Sequence, residues 1–366
     1  MIEPLRVLVA GWLNSPHVVS WVEAIAAAGH DVHVAGRPAP QWPAAEPAPN
    51  VHLLPAGGLP LLRSLRMSRE LGHVAAELQP DLVHAHWLPE FGWMAAREGL
   101  RPLICSAWGS DVLGVNGIGR QRSRRALDGA QLVLADSLPL ARATRELAGR
   151  EVPVEIVRWG LDLERFAPGD PVAAREALRL EHEGPLVAGV RGLEPLYNPE
   201  LLLEAFARVR AARPGARLLL KHPLESVPAT VTAAVERLGL DEAVTMLGSV
   251  TNEQMPDVYR AADVVVSIPS SDSSPRSVWE ALACGRPVVV SDLPWARDEL
   301  VPDRQALLVP LDAEAIAAAI GRVLENGSFA RRLAAEARVL AVAELDPQAC
   351  TARIDALYRT VVEAAR

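Results

Sequence analysis

Short, continuously apolar runs alternate with longer amphipathic segments along almost the whole chain, and that alternation leaves few folds open. Residues 5–9, 31–35, 82–85, 102–106 and 132–135 are rich in Val, Leu and Ile and read as buried strands. Residues 20–28, 68–78 and 138–148 between them carry helical spacing. Strands apolar on both faces and separated by helices predict a parallel sheet covered on both sides. The pattern then restarts. Residues 186–190, 217–220, 244–247, 264–268, 287–290 and 307–309 form a second set of strands, with helices at 199–211, 252–261 and 276–284. Between the sets, residues 165–184 contain Ala-Pro-Gly-Asp-Pro, which breaks regular structure. The expectation is an α/β protein of two tandem Rossmann-like domains, residues 1–168 and 169–346, with ligands at the carboxyl ends of the sheets in a cleft. Ala-rich helical segments at 313–324, 330–340 and 349–364 close the chain.

With 366 residues the chain is too long for one comfortable core, and half of it is hydrophobic, enough for two interiors. A net charge of −8 argues against a nucleic-acid partner held through phosphates. The acidic excess lies beyond residue 165, so the first half can approach an anionic acceptor or a membrane surface. Cys105, Cys284 and Cys350 are too scattered for a disulfide framework or a zinc site, and read as small buried residues in a reducing compartment. The N-terminal segment has no signal-like pattern, and no run reaches the ~20 apolar residues of a membrane span. These features predict a cytoplasmic protein, at most peripheral to the inner face of a membrane.

The segment 268–291, IPSSDSSPRSVWEALACGRPVVVS, carries the most chemistry. A strand ends, a polar turn follows, and a helix starts near Pro275, acceptable in a first turn. Ser273, Ser274 and the free N–H groups of that turn make a site for a phosphate. Asp272 on the loop and Glu280 on the helix can address opposite ends of a nucleotide sugar, Asp272 the sugar hydroxyls and Glu280 the ribose. A capped helix with a solvated acid is the plainer alternative.

This segment resembles the signature of the family 4 retaining glycosyltransferases of the GT-B fold. Glu280-Ala281-Leu282-Ala283-Cys284-Gly285-Arg286-Pro287-Val288-Val289 matches the second half of the family's paired-acid motif, and Asp272 stands where the first glutamate is usual. Val157 to Pro168 resembles the family's domain-junction segment, Leu247-Gly248-Ser249-Val250 the turn near the nucleotide base, and Ala262-Asp263-Val264 the start of the strand before the acidic loop. The resemblance implies a hexosyltransferase that uses a nucleotide diphosphate sugar as donor substrate, with no cofactor and no metal. The implied acceptor is a glycan, a lipid-linked molecule or a small molecule, in polysaccharide or glycoconjugate biosynthesis. It also implies that the helix at about 347–366 packs back on the first domain.

Arg191, after the first strand of the second domain, holds the position the family gives to an arginine on the diphosphate, and guanidinium fits two phosphate oxygens. The family's following lysine is replaced by Leu196 and Tyr197. Lys221, the only lysine in the chain, and Arg276 are the candidate substitutes. Pro275, Ser277, Ser249 and Val250 complete the donor set with Gly11, which sits in a small-residue turn where backbone can approach a ligand. His17 with Trp21 resembles a family H-x-x-x-W helix start; contact with a sugar and a plain helix-start role both remain open. In Trp108-Gly109-Ser110-Asp111 a tryptophan replaces the more usual histidine, as in a W-G-S-D subgroup. Asp111, Ser110, Trp108 and Asn14 are the candidates on the sugar or acceptor side, with Asp111 and His17 grouped with Arg191, Asp272 and Glu280 as catalytic.

His84 and His86 would share one strand face, but lack acidic or Cys partners for a metal, and no D-x-D triplet occurs. Arg63, Arg66 and Arg69, with Leu61, Leu62 and Leu65, form one basic, apolar stretch, and Arg120, Arg122, Arg124 and Arg125 another. Either they touch anionic lipid or they are solvated helix faces. Two rivals share the architecture, a sugar-nucleotide 2-epimerase and a nucleotide-sugar-binding subunit that has lost transfer. A donor panel with product analysis separates them.

Overall fold

The computed structural model describes residues 3–39, 50–55, 57–222 and 226–366. The chain divides into two compact units, Met1–Gly160 with Pro347–Arg366, and Leu161–Asp346. The first unit holds a parallel sheet of β1 (Arg6–Trp12), β2 (Asp31–Arg37), β3 (Val51–Leu53), β4 (Leu82–His86), β5 (Leu103–Ser106), β6 (Leu132–Ala135) and β7 (Val154–Ile156). Their order is β3-β2-β1-β4-β5-β6-β7. The second unit repeats the scheme with β8 (Leu186–Gly189), β9 (Arg217–Lys221), β10 (Val244–Leu247), β11 (Val264–Ser267), β12 (Val288–Ser291) and β13 (Leu307–Val309), in the order β10-β9-β8-β11-β12-β13. Both sheets reverse direction beside their first strand, between β1 and β4 and between β8 and β11. Such a switch point opens a crevice at the carboxyl ends of the strands.

Period-two alternation divides each strand between two cores. Leu186, Ala188 and Val190 fall in one cluster and Val187 in the other, so β8 is covered on both faces. In the first unit Leu8 and Ala10 face one core, and Val7 and Val9 the other. Each such Val or Leu side chain contributes roughly 1.5–3 kcal/mol on burial.

Strands β3 and β7 were not expected from sequence; each is three residues long and lies at a sheet edge. Residues 165–184, expected to be irregular, contain the helix Pro171–Ala177. Asp170 accepts its Val172 N–H at 2.9 Å, and the proline occupies the first turn, so residues that look like breakers form a helix start. Residues 161–168, assigned on sequence to the first domain, pack in the second unit, where Leu161 and Phe166 are buried in one cluster with Tyr259 and Trp279. The helix Pro347–Ala365 belongs to the first unit. Its Tyr358 hydroxyl accepts from Trp21 Nε1 at 2.8 Å and lies 2.6 Å from His84 Nδ1. The other ring nitrogen, Nε2, lies 2.8 Å from Ser106 Oγ, so both nitrogens of the buried His84 are partnered.

Candidate functional site

In the second unit the loops leaving β8 and β11 are stitched together at the switch point. Asn198 donates to the Ile268 carbonyl at 2.8 Å, and the Ser270 N–H to the Leu196 carbonyl at 2.8 Å. The Arg191 guanidinium stands 2.8 Å from Asp272 Oδ2, donates to Ser277 Oγ at 3.0 Å, and lies 4.7 Å from the centre of the Tyr197 ring. Asp272 is largely buried. Desolvation raises its pKa above the ordinary carboxylate value, opposed by Arg191 and by the Ser273 N–H. Glu280, on the helix Arg276–Ala283, is 6% exposed. Its Oε2 accepts from the Tyr259 hydroxyl at 2.7 Å and its Oε1 from Arg276 Nε at 2.8 Å. Lys221, half-buried at the end of β9, has its pKa lowered by burial; the Glu280 charge opposes the shift and Arg191 adds to it. Three cations and two carboxylates thus gather around one strand-end crevice.

The corresponding edge of the first unit is aromatic. Trp12 ends β1, Trp87 follows β4, and Trp108 follows β5. The His17 ring lies between Trp108 and Trp159, at 4.9 and 4.8 Å. Asp111 is fully buried beneath this surface; its Oδ2 accepts from the Leu88 N–H at 3.0 Å and its Oδ1 from the Trp108 N–H at 2.8 Å. Burial raises its pKa to about 6, against the pull of those amides.

Residues 173–340 match the family model described as glycosyl transferases group 1, and residues 6–137 the one described as glycosyl transferase 4-like. A D-inositol 3-phosphate glycosyltransferase from Saccharomonospora viridis is 33% identical over 323 residues, covering 77% of this chain and 74% of that protein. The chain belongs to the family 4 glycosyltransferases. A second protein of that name, from Segniliparus rotundus, is 33% identical over 282 residues, covering 69% of this chain but 62% of the relative, so the chain spans under two thirds of its length. The GT-B fold is shared with sucrose-phosphate synthase from Thermosynechococcus elongatus, at 22% identity and TM-score 0.83 over 98% of this chain and 100% of that one. It is shared too with Anabaena HepE in complex with UDP-glucose, at 18% identity and TM-score 0.82 over 97% and 100%.

Within this GT-B frame, Arg191, Asp272, Ser277, Arg276, Glu280 and Lys221 come together in the second unit, while Ser249 (exposed) and Val250 (half-buried) follow β10. Several residues stand otherwise than expected. The Ser274 hydroxyl donates to Glu299 at 2.6 Å and accepts from Trp279 Nε1 at 2.7 Å, so its side chain is committed to the fold. The Ser273 N–H is taken by Asp272 Oδ1 at 2.9 Å. Pro275 caps the helix, which begins at Arg276. In the first unit the Asn14 amide bonds the Ala39 backbone in both directions, at 2.8 and 2.7 Å, and so clasps the loop after β2. Gly11 lies within β1; a Cβ there would come 2.8 Å from Val18, so close packing of the helix Pro16–Ala27 explains the glycine. Asp111, grouped with the catalytic residues on sequence, is sealed from solvent and holds the Trp108 turn, where Gly109 has φ 99°. Ser110 is exposed beside it. Cys105 and Cys284 are buried, whereas Cys350 is half-buried.

Sequence reasoning missed Tyr259 and Tyr197, which contact Glu280 and Arg191. Tyr197 had been noticed only as the absence of a lysine, although its ring now supports the guanidinium. Among the described residues no group of three His, Cys, Asp or Glu side chains could hold a metal, and no helix is long and apolar enough to cross a membrane.

Proposed function

We propose that the chain transfers a sugar from a nucleotide diphosphate sugar to a carbohydrate-type acceptor, with retained anomeric configuration and without a metal. One observation carries the reading. Asp272 Oδ2 is buried and accepts no hydrogen bond among the described residues, although Arg191 stands 2.8 Å away. Such an atom costs roughly 1–3 kcal/mol until a donor arrives, and a sugar hydroxyl supplies one. Beside it, Arg191, Lys221 and Arg276 offer positive charge to a diphosphate, and the helix Arg276–Ala283 turns the positive end of its dipole to the same loop. Charge placed in advance where a diphosphate departs lowers the barrier to transfer. Glu280, held by Tyr259 and Arg276, presents its carboxylate to a ribose. The UDP-glucose bound by Anabaena HepE, and the name glycosyltransferase borne by the curated relatives, support this class of donor. We place the work in the cytoplasm, in glycoconjugate or polysaccharide synthesis.

The test is thermal stabilisation by UDP, GDP, ADP and their sugars, wild type beside Glu280→Ala, followed by NMR of the product anomer with and without EDTA. A nucleotide sugar at 100 times its dissociation constant stabilises by about 2.7 kcal/mol. Stabilisation of the wild type alone, with an α-linked product from an α-linked donor in EDTA, is the expected result. If no nucleotide shifts either protein, the donor site is wrong.

A second reading concerns the surface of the first unit. Arg66, Arg69, Arg120, Arg124 and Arg125 are exposed, near the exposed Leu62 and Ile118, while Arg122 is engaged 4.2 Å from the centre of the Trp93 ring. The Leu61 side chain lies outside the described residues. Each exposed arginine contributes about 1 kcal/mol near an anionic bilayer. Co-sedimentation with phosphatidylserine vesicles but not phosphatidylcholine vesicles is the expected outcome; equal recovery with both removes the membrane from the proposal.

A further inference from the structure

Trp87, Trp12, Trp108, His17 and Trp159 make an unbroken run of ring contacts in the first unit, with centroids 5.1, 5.9, 4.9 and 4.8 Å apart in that order. Core aromatics would be sealed from solvent, yet all five of these rings are only partly buried. Half-open indoles in contact with one another form the kind of apolar surface that soluble proteins keep for a ligand.

Three further observations converge on it. Trp87 has φ 74°, a left-handed conformation that costs a bulky residue energy and persists where something else is gained. It opens a π-helical turn, Trp87–Gly92, a local irregularity frequent at functional sites. Beside the run, Trp108 Nε1 and both ring nitrogens of the fully buried His86 have no hydrogen-bond partner among the described residues. Charge is also balanced there. Arg37, which pairs with Trp12 across strands β1 and β2, is tied to Glu90 at 2.9 Å, and burial keeps His86 neutral, with its pKa pushed down to about 3.

We propose that this aromatic run seats an uncharged sugar ring, and that this ring is the acceptor. The second half of that statement rests on the transferase reading; the first does not. A pyranose has a flat face of C–H groups that covers an indole and a rim of hydroxyls that supplies partners to nearby polar atoms. A phosphorylated polyol, by contrast, would bring a dianion onto an apolar surface whose neighbouring arginine is already paired, at a large desolvation cost. The chain would then differ in acceptor chemistry from the relatives named for D-inositol 3-phosphate.

The test titrates nucleotide-free protein with methyl glycosides, neutral disaccharides and D-inositol 3-phosphate, following tryptophan fluorescence. The variants are Trp159→Ala and Trp87→Gly, the latter relieving the positive φ while removing the ring. We expect saturable binding of at least one neutral glycoside, weakened tenfold or more in both variants, with unchanged circular dichroism and unchanged nucleotide binding. Binding of the phosphate alone, binding indifferent to both variants, or no binding of any probe overturns the proposal. Glycoside binding that follows this pattern in a protein no nucleotide stabilises would uphold the sugar seat and sink the transferase reading.

Discussion

The Arg191 guanidinium and the Asp272 carboxylate stand 2.8 Å apart, yet Oδ2 accepts no hydrogen bond among the described residues, so their attraction is mainly Coulombic. The pair joins the loop after β8 to the loop after β11, where the strand order of the second sheet reverses. Arg191 meanwhile spends one donor on Ser277 and rests on Tyr197. The pair is thus held from both sides by its neighbours in the two loops.

Arg191→Ala should therefore cost on the order of 3 kcal/mol of stability by leaving a largely buried carboxylate unpaired. Adding Asp272→Asn should restore most of the urea midpoint without restoring transfer. A double variant no more stable than Arg191→Ala would show that the pair is not what holds these loops.

Tyr259→Phe removes the hydroxyl that donates to Glu280 Oε2 at 2.7 Å. A hydrogen bond to a charged group is worth roughly 1.5–3 kcal/mol. We expect the loss to appear mainly in the donor KM, with kcat within a few-fold of wild type. Unaltered KM in steady-state kinetics would separate Glu280 from the donor.

Burial pushes the Asp111 pKa up to about 6, above the ordinary aspartate value of about 3.9. The folded state then binds more protons than the unfolded state between these values, so this group's contribution to stability falls as pH rises from about 4 to about 6. Asp111→Asn should flatten that slope. It should also destabilise at pH 4 by roughly 1–3 kcal/mol, because the amide nitrogen cannot accept from an N–H as a carboxyl oxygen does, and the difference should narrow as the pH rises to 8. Denaturant midpoints from pH 4 to 8 measure both effects.

Tyr358→Phe leaves the Trp21 N–H without its acceptor and His84 Nδ1 without its hydroxyl partner, both enclosed in the core. A loss of about 2 kcal/mol follows, read as a lower urea midpoint for the first unit. Nucleotide binding should be unaffected.

The sequence was informative wherever the determinants were local. Strands such as β11 and β12 are runs of valine closed by a serine, and their burial follows from composition alone. By contrast, β3 and β7 have too few residues to show a period. The loop–helix segment from Asp272 to Glu280 was legible because its groups are neighbours in the chain. Tyr259 was not, since its contact with Glu280 spans 21 residues and nothing in its own helix announces it. Asp111 and Asn14 look like ligand-binding side chains in a polar turn, and only the side-chain direction reveals that backbone amides had claimed them. The four partly open indoles come from separate strand ends, so their contact depends on sheet order, which no single segment encodes.

The helix Pro347–Ala365 also bears on synthesis. Its Ile354, Tyr358, Val361 and Val362 share a core with Leu5, Val7 and Val9, while Leu161–Asp346 forms a unit of its own. During translation, at roughly 5–20 residues per second, the unit whose residues begin the chain must wait for Val362 before it can close its core. The unit made later can finish first, so a chain ended at residue 346 and released should hold a complete second unit joined to a first unit whose core is unfilled.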